Sequence, residues 1–173
     1  MITVVERVVI NLQDGTLVRL QMPPDQHRSS RCDDIICGGS WDDVQWSSDS
    51  SSMAFLSTSR DHKQEWLRIA DISSGEVHTV LEESVPTFFE SGNGAINWRY
   101  LPDSGEFIWF SERDDWGHLY LYDLETGGLK NQITSGEGNV TRVLRVDKKE
   151  RQIYFLGVGF EEERDPYFQH FYR

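Results

Sequence analysis

The sequence is poor in the residue types that would give it chemistry of its own. Two cysteines, Cys32 and Cys37, are the whole thiol inventory. A disulfide could span the four residues between them, but the flanking Asp33, Asp34, Gly38 and Gly39 do not resemble a zinc knuckle. Zinc needs about four ligands, and neither a second cysteine pair nor a His-x-x-x-His supplies the rest. The pair reads as two unrelated strand or loop cysteines and fixes no compartment. Positive charge is also scarce: 17 Lys and Arg stand against 29 Asp and Glu, a formal net charge of −12. Phosphate recognition needs clustered cations, so nucleic acid and an anionic membrane surface are excluded as partners. The acidic surface reads as a solubilising one, with attraction of cationic peptides as the alternative. No apolar run approaches the ~18 residues of a membrane span. The N-terminus lacks the charged-then-apolar pattern of a secretory signal, so the protein is expected to be cytosolic or to lack an upstream part.

Aromatic and β-branched residues are what the chain has in quantity. It is 38% hydrophobic and 12% aromatic, with six Trp, nine Phe and six Tyr, which rules out disorder. Its 173 residues suffice for one domain with a real core. The most legible stretch is FIWFSERDDWGHLYLYDLETG, residues 107–127. Phe107 to Phe110 form an apolar run fit for a buried strand, and Ser111 to Gly117 a polar turn. Leu119 to Tyr122 return, and Asp123 to Gly127 turn again.

The rest reads as variations on this unit. Val4 to Leu20 holds two apolar runs flanking Asp14-Gly15, a hairpin signal, so an N-terminal hairpin over 1–24 is predicted, with a polar loop from Pro23 through Arg31. A blade-like unit over about 41–83 follows: short strand Val44–Ser47, buried strand Met53–Leu56, return Trp66–Ala70, and fourth strand Val77–Leu81. A second, over 97–137, starts at Asn97–Tyr100 and contains the opening stretch. A third, over 140–173, has strands at Val140–Val146 and Gln152–Leu156 and a return at His170–Tyr172. Trp46 and Trp98, Asp71 and Asp123, and Gly75 and Gly127 share one spacing of 52 residues. Four short strands per ~40–50 residues is the signature of β-propeller blades, whose faces are buried only by their neighbours. The predicted fold class is all-β: a partial β-propeller of about three four-stranded antiparallel blades plus the N-terminal hairpin, residues 1–173 being a fragment of the ring.

Two features carry a family resemblance. One is the buried aromatic strand followed by Ser-Glu-Arg-Asp-Asp-Trp-Gly-His-Leu-Tyr-Leu-Tyr-Asp and a Thr-Gly turn; the other is Ile133-Thr134-Ser135-Gly136-Glu137 before the next unit. Asp165-Pro166 through His170-Phe171-Tyr172-Arg173 adds to it. The chain resembles the N-terminal β-propeller domain of the dipeptidyl peptidase IV family, prolyl oligopeptidase-type serine peptidases, especially its bacterial members. The resemblance implies a propeller of about eight blades over an α/β-hydrolase domain with a Ser-Asp-His triad. That enzyme would release dipeptides from peptide N-termini, favouring proline or alanine second. The propeller would wall the cavity, and a glutamate pair would hold the substrate ammonium. It further implies a periplasmic or extracytoplasmic setting. This sequence departs from the family in two respects. No Gly-x-Ser-x-Gly elbow occurs, so the hydrolase domain is missing. The family's glutamate pair lies upstream of the matching region and has no counterpart.

No catalytic, cofactor-binding or metal residue is therefore expected, and no cofactor. Glu82-Glu83 would suit an ammonium clamp but sits at the end of a fourth strand and reads as a solvated loop; Glu161-Glu162-Glu163 reads as a hydrated charge run. His118, following Gly117 in the turn, reads as a hydrogen-bonded structural histidine, and His27, His62, His78 and His170 have no paired ligand spacing. Arg60, Arg113 and Arg164, each followed by Asp, read as ties of the strand-to-strand loops. Asn139-Val140-Thr141 is a glycosylation sequon, discounted in a bacterial-looking sequence. The tryptophans read as blade packing first and as a sugar- or peptide-stacking platform second.

The expected function is that of a non-catalytic segment of a dipeptidyl peptidase IV-like exopeptidase. Peptide substrate would be met only through the full-length enzyme. The alternative is a stand-alone propeller-type protein-interaction module, although the blades lack the Gly-His…Trp-Asp spacing of WD40 repeats, Trp41-Asp42 being isolated. Exposed strand edges point to homo-oligomers.

Overall fold

The computed structural model describes residues 4–26, 44–89 and 95–173. Cys32, Cys37, His27 and Trp41-Asp42 lie outside the described residues. The chain divides into two compact units, residues 1–89 and 90–173. The elements are strands and one 3-10 turn at Pro102–Ser104, with no α-helix among the described residues.

In the first unit, β1 (Val4–Val5) pairs with β4 (Asp25–Gln26), and β2 (Val8–Ile10) with β3 (Leu17–Arg19), all antiparallel. A four-stranded antiparallel sheet follows, in the order β5 (Val44–Trp46), β6 (Ser52–Thr58), β7 (Gln64–Asp71) and β8 (Val77–Ser84). The sequence predicts one hairpin over Val4–Leu20 and a loop from Pro23. The pair flanking Asp14-Gly15 is β2 with β3, and the structure differs on either side of it. The first apolar run breaks at Glu6-Arg7, because the Arg7 side chain turns into the protein, and Asp25–Gln26 is a strand. Hairpin and sheet share one core, in which Leu20, Met53, Phe55 and Ala70 are buried with Val9, Met22, Val44, Ile72 and Val77 packed around them. Gly75 sets the closeness of that packing. Its φ is +75°, and a Cβ there would stand 2.4 Å from the Arg19 carbonyl oxygen.

In the second unit, β9 (Arg99–Leu101), β10 (Glu106–Ser111), β11 (His118–Asp123) and β12 (Leu129–Gln132) form the next four-stranded sheet. β13 (Asn139–Asp147), β14 (Gln152–Val158) and β15 (His170–Tyr172) form a three-stranded one. Every residue of β10 is buried, as are His118 to Tyr122 of β11. That is why these strands read as unbroken apolar runs and not as alternations. On one face Leu101, Ile108, Phe110, Leu119 and Leu121 pack against Val140, Val143 and Phe155 of the three-stranded sheet. Transfer of such side chains from water contributes roughly 1.5–3 kcal/mol each. β12, by contrast, is exposed throughout. An edge written Leu-Lys-Asn-Gln discourages pairing with a further strand.

The turns confirm part of the sequence register and correct another part. Asp71 Oδ1 accepts from Ser73 Oγ and from Ser74 N and Oγ at 2.7–2.9 Å. Asp123 Oδ1 accepts from the N–H groups of Glu125 and Thr126 and from Thr126 Oγ1. Gly75 and Gly127 then each take positive φ and return an N–H to the aspartate carbonyl. These landmarks are structurally equivalent. Trp46 and Trp98 are not. Counting across the ladders from Ala70 and Tyr122, Trp46 stands opposite Met53, whereas Tyr100 stands opposite Phe107. Trp98 precedes β9 and is buried, while Trp46 is 47% exposed.

Candidate functional site

Three polar clusters organise the described residues. In the first unit Asp25 is the hub. Its Oδ2 accepts from Arg7 Nε at 2.7 Å and Ser57 Oγ at 2.9 Å, and its Oδ1 from Arg68 Nη1 at 3.4 Å. Arg7 also donates to the Leu56 carbonyl at 2.9 Å and lies 4.5 Å over the Phe55 ring. Both guanidinium groups are largely removed from water, so Asp25 neutralises charge that would otherwise be costly to bury. Nothing local in the sequence marks Arg7 and Asp25 as partners.

In the second unit Glu106 is buried, and its partner Arg151 lines a cavity of about 230 Å3 between the two sheets. The cavity floor is apolar, from Leu101, Ile108, Leu121 and Ile153 among others. Lys130 Nζ donates to Glu106 Oε1 at 2.6 Å, and the Arg151 guanidinium spans both carboxylate oxygens. The Arg151 hydrogen bonds, then Lys130, hold the Glu106 carboxyl down at about 2 against the cost of burial. Arg151 has φ +55°, a left-handed backbone that non-glycine residues seldom take.

The third cluster contains a pair resembling a nucleophile and its base. His118 Nδ1 lies 3.2 Å from Thr134 Oγ1, and its Nε2 3.0 Å from the Gly136 carbonyl. A carbonyl only accepts, so Nε2 carries the proton, and in the neutral ring Nδ1 accepts from the Thr134 hydroxyl. That hydroxyl also accepts the Leu119 N–H at 3.0 Å. Both side chains are buried and their hydrogen bonds are spent, so the pair fastens the β12–β13 connection to β11 and offers no free nucleophile. His118 opens strand β11 and does not sit in the turn, and both of its ring nitrogens have hydrogen-bond partners.

The other candidates are dispersed. Glu82 and Glu83 lie within β8, which runs on to Ser84, and not in a loop. Glu82 is opposite Trp66, and Glu83 opposite the buried Glu65. Glu161 to Glu163 are exposed, with Tyr172 Oη donating to Glu161 at 3.3 Å; burial first, then Glu161, raises the Tyr172 pKa. His62 stacks on Phe88 at 4.5 Å, His78 is exposed on β8, and His170 lies on β15. Arg113 donates to Ser111 Oγ and lies 4.5 Å over the Tyr120 ring, so it packs on an aromatic as much as it ties the loop. In two of these loops the following aspartates, Asp61 and Asp165, accept the backbone N–H groups of Lys63 and Tyr167. Asn139 Oδ1 accepts the Gly117 N–H at 2.6 Å while Val140 N–H returns to the Gly117 carbonyl, so the sequon asparagine is a bracket on that loop. Among the described residues no group of three His, Cys, Asp or Glu could hold a metal ion, and no helix is long and apolar enough to cross a membrane.

Short antiparallel sheets and hydrogen-bonded polar clusters define an all-β, blade-built segment of a propeller. The sequence matches the family profile of the dipeptidyl peptidase IV (DPP IV) N-terminal region over residues 2–173, and the chain belongs to that family. It is 30% identical over 130 residues to dipeptidyl peptidase 4 of Arthroderma otae, a match that covers 74% of this chain and 16% of that protein. Identity to dipeptidyl peptidase 4 of Trichophyton equinum is 28% over 131 residues, 73% of this chain and 16% of that one. The chain thus spans about a sixth of these relatives. In fold it is similar to Porphyromonas gingivalis dipeptidyl peptidase 4, with a TM-score of 0.67 at 18% identity, covering 88% of this chain and 20% of that chain.

Proposed function

We propose that this chain is a non-catalytic part of the β-propeller of a dipeptidyl peptidase IV-like serine exopeptidase, shaping and gating the peptide cavity of an α/β-hydrolase domain. The family match over residues 2–173 carries the reading. The chemistry of the three polar clusters agrees with it: Asp25, Glu106 and His118 are each held by partners within their own cluster, as expected of a wall and not of a reacting centre. The peptide substrate would meet this wall on its way to a triad held by the hydrolase domain. Self-association through open strand edges belongs to the same proposal, β15 having a partner on one side only among the described residues.

The test is an assay of the pure chain with Gly-Pro and Ala-Pro chromogenic substrates, beside the enzyme that contains it. No turnover by the chain and turnover by the enzyme is the expected pair. Turnover by the chain, or none by the enzyme, would overturn the proposal.

A further inference from the structure

A cleft of about 740 Å3 opens in the first unit between the β2–β3 turn and the turns that follow β5 and β7. Its floor includes Val9 and Ile72, which also pack on the core. Trp46 lines one side and leaves 47% of its surface open to water. Asp14 and Asp71 also line the cleft, and among the described residues no Lys or Arg lines it.

Both carboxylates are aimed by their own turns. Asp14 Oδ1 accepts the Thr16 N–H at 2.9 Å, and Asp71 Oδ1 is taken by Ser73 and Ser74. The same turn hydrogen bonds lower both pKa values, so both groups are anionic at neutral pH.

We propose that this cleft binds a cationic peptide segment, an arginine or lysine side chain lying over the Trp46 ring with the Asp14 and Asp71 carboxylates as its counter-charges. An indole face attracts a cation through its quadrupole, and the two anions reinforce it. The aliphatic stem of Arg or Lys suits the rest of the cleft, where Ile10 is 52% exposed and Leu12 is 96% exposed. A neutral sugar would use the indole and leave both charges unanswered; an anion would be repelled. Arginine is preferred over lysine, because its planar fork stacks on the ring while still donating to a carboxylate. The site is independent of the peptidase reading and is measured on this chain alone.

The experiment is calorimetric titration of the 173-residue chain with acetyl-Leu-Arg-Leu-amide, its citrulline analogue and maltotriose. Binding of the arginine peptide is expected, with the citrulline peptide and the sugar weaker by roughly tenfold or more. Trp46→Ser should weaken the arginine peptide roughly five- to tenfold. Asp14→Asn keeps an acceptor for the Thr16 N–H and should weaken binding while flattening its salt dependence. Equal binding of the citrulline peptide, preference for the sugar, unchanged binding by Trp46→Ser, or no binding at low salt would each overturn the proposal. Should Trp46→Ser fail to fold by circular dichroism, the citrulline comparison and Asp14→Asn decide.

Discussion

Arg7 and Asp25 meet at 2.7 Å across 18 residues of sequence, inside the first unit, and the contact joins the β1–β4 ladder to strands β6 and β7. Asp25→Ala would strand the largely buried Arg7 and Arg68 without their counter-charge. A loss of about 3–5 kcal/mol is expected in urea unfolding. Arg7→Met combined with Asp25→Leu should cost clearly less than the two changes summed, since the pair acts as a unit. Additivity within about 0.5 kcal/mol would show that the contact carries no coupling.

Glu106 gives the second unit a defined acid sensitivity. Its folded pKa, about 2, lies below its ordinary value of 4.5. The stabilisation is therefore complete above 4.5 and drains away as pH falls through about 2. At neutral pH it amounts to something on the order of 3 kcal/mol. The stability difference between wild type and Glu106→Gln, followed by urea unfolding, should shrink steadily across that window. A difference independent of pH would rule the ionic contact out as its source.

Thr134→Val keeps the shape of the side chain and removes the hydroxyl shared by His118 and Leu119. Two buried polar groups then lose a partner, and a destabilisation of about 1–3 kcal/mol is expected. Hydrogen exchange at the Leu119 amide should accelerate with it. An unchanged melting temperature would mean that the imidazole finds another partner.

Gly15 and Gly75 have nearly the same backbone, at φ +74° and +75°, but different surroundings. Gly15→Ala meets open space, and only the left-handed penalty of about 1–2 kcal/mol applies. Gly75→Ala adds a collision with the Arg19 carbonyl and should cost clearly more. Thermal melts of the two variants compare them directly, and equal losses would mean that the hairpin yields without cost.

The strands were legible because buried apolar runs such as Phe107–Phe110 are bounded by Asp, Ser and Gly whose turn chemistry is local. The equivalence of Asp71 with Asp123 was legible for the same reason. Trp46 and Trp98 misled, since equal spacing in sequence does not fix ladder register when the intervening loops differ. Arg7, Asp25 and Glu106 gave no signal. A lone charged residue near a strand reads as surface, and only the folded chain brings its partner to it. His118 was interpretable in type but not in detail, because Thr134 and the Gly136 carbonyl reach it from the β12–β13 connection.

Arg151 sits where Gly105 sits in the preceding sheet, one residue before the equivalent strand, and both have positive φ. Glycine would be the easier occupant, yet it could not reach Glu106. The left-handed turn of one sheet is thereby tied to the ionic partner of another, 45 residues away. Neither hairpin completes this contact alone, so it forms late, after both have docked. The two sheets should consequently melt in a single cooperative step, and a protease able to cut one should find it open only when the other is open as well.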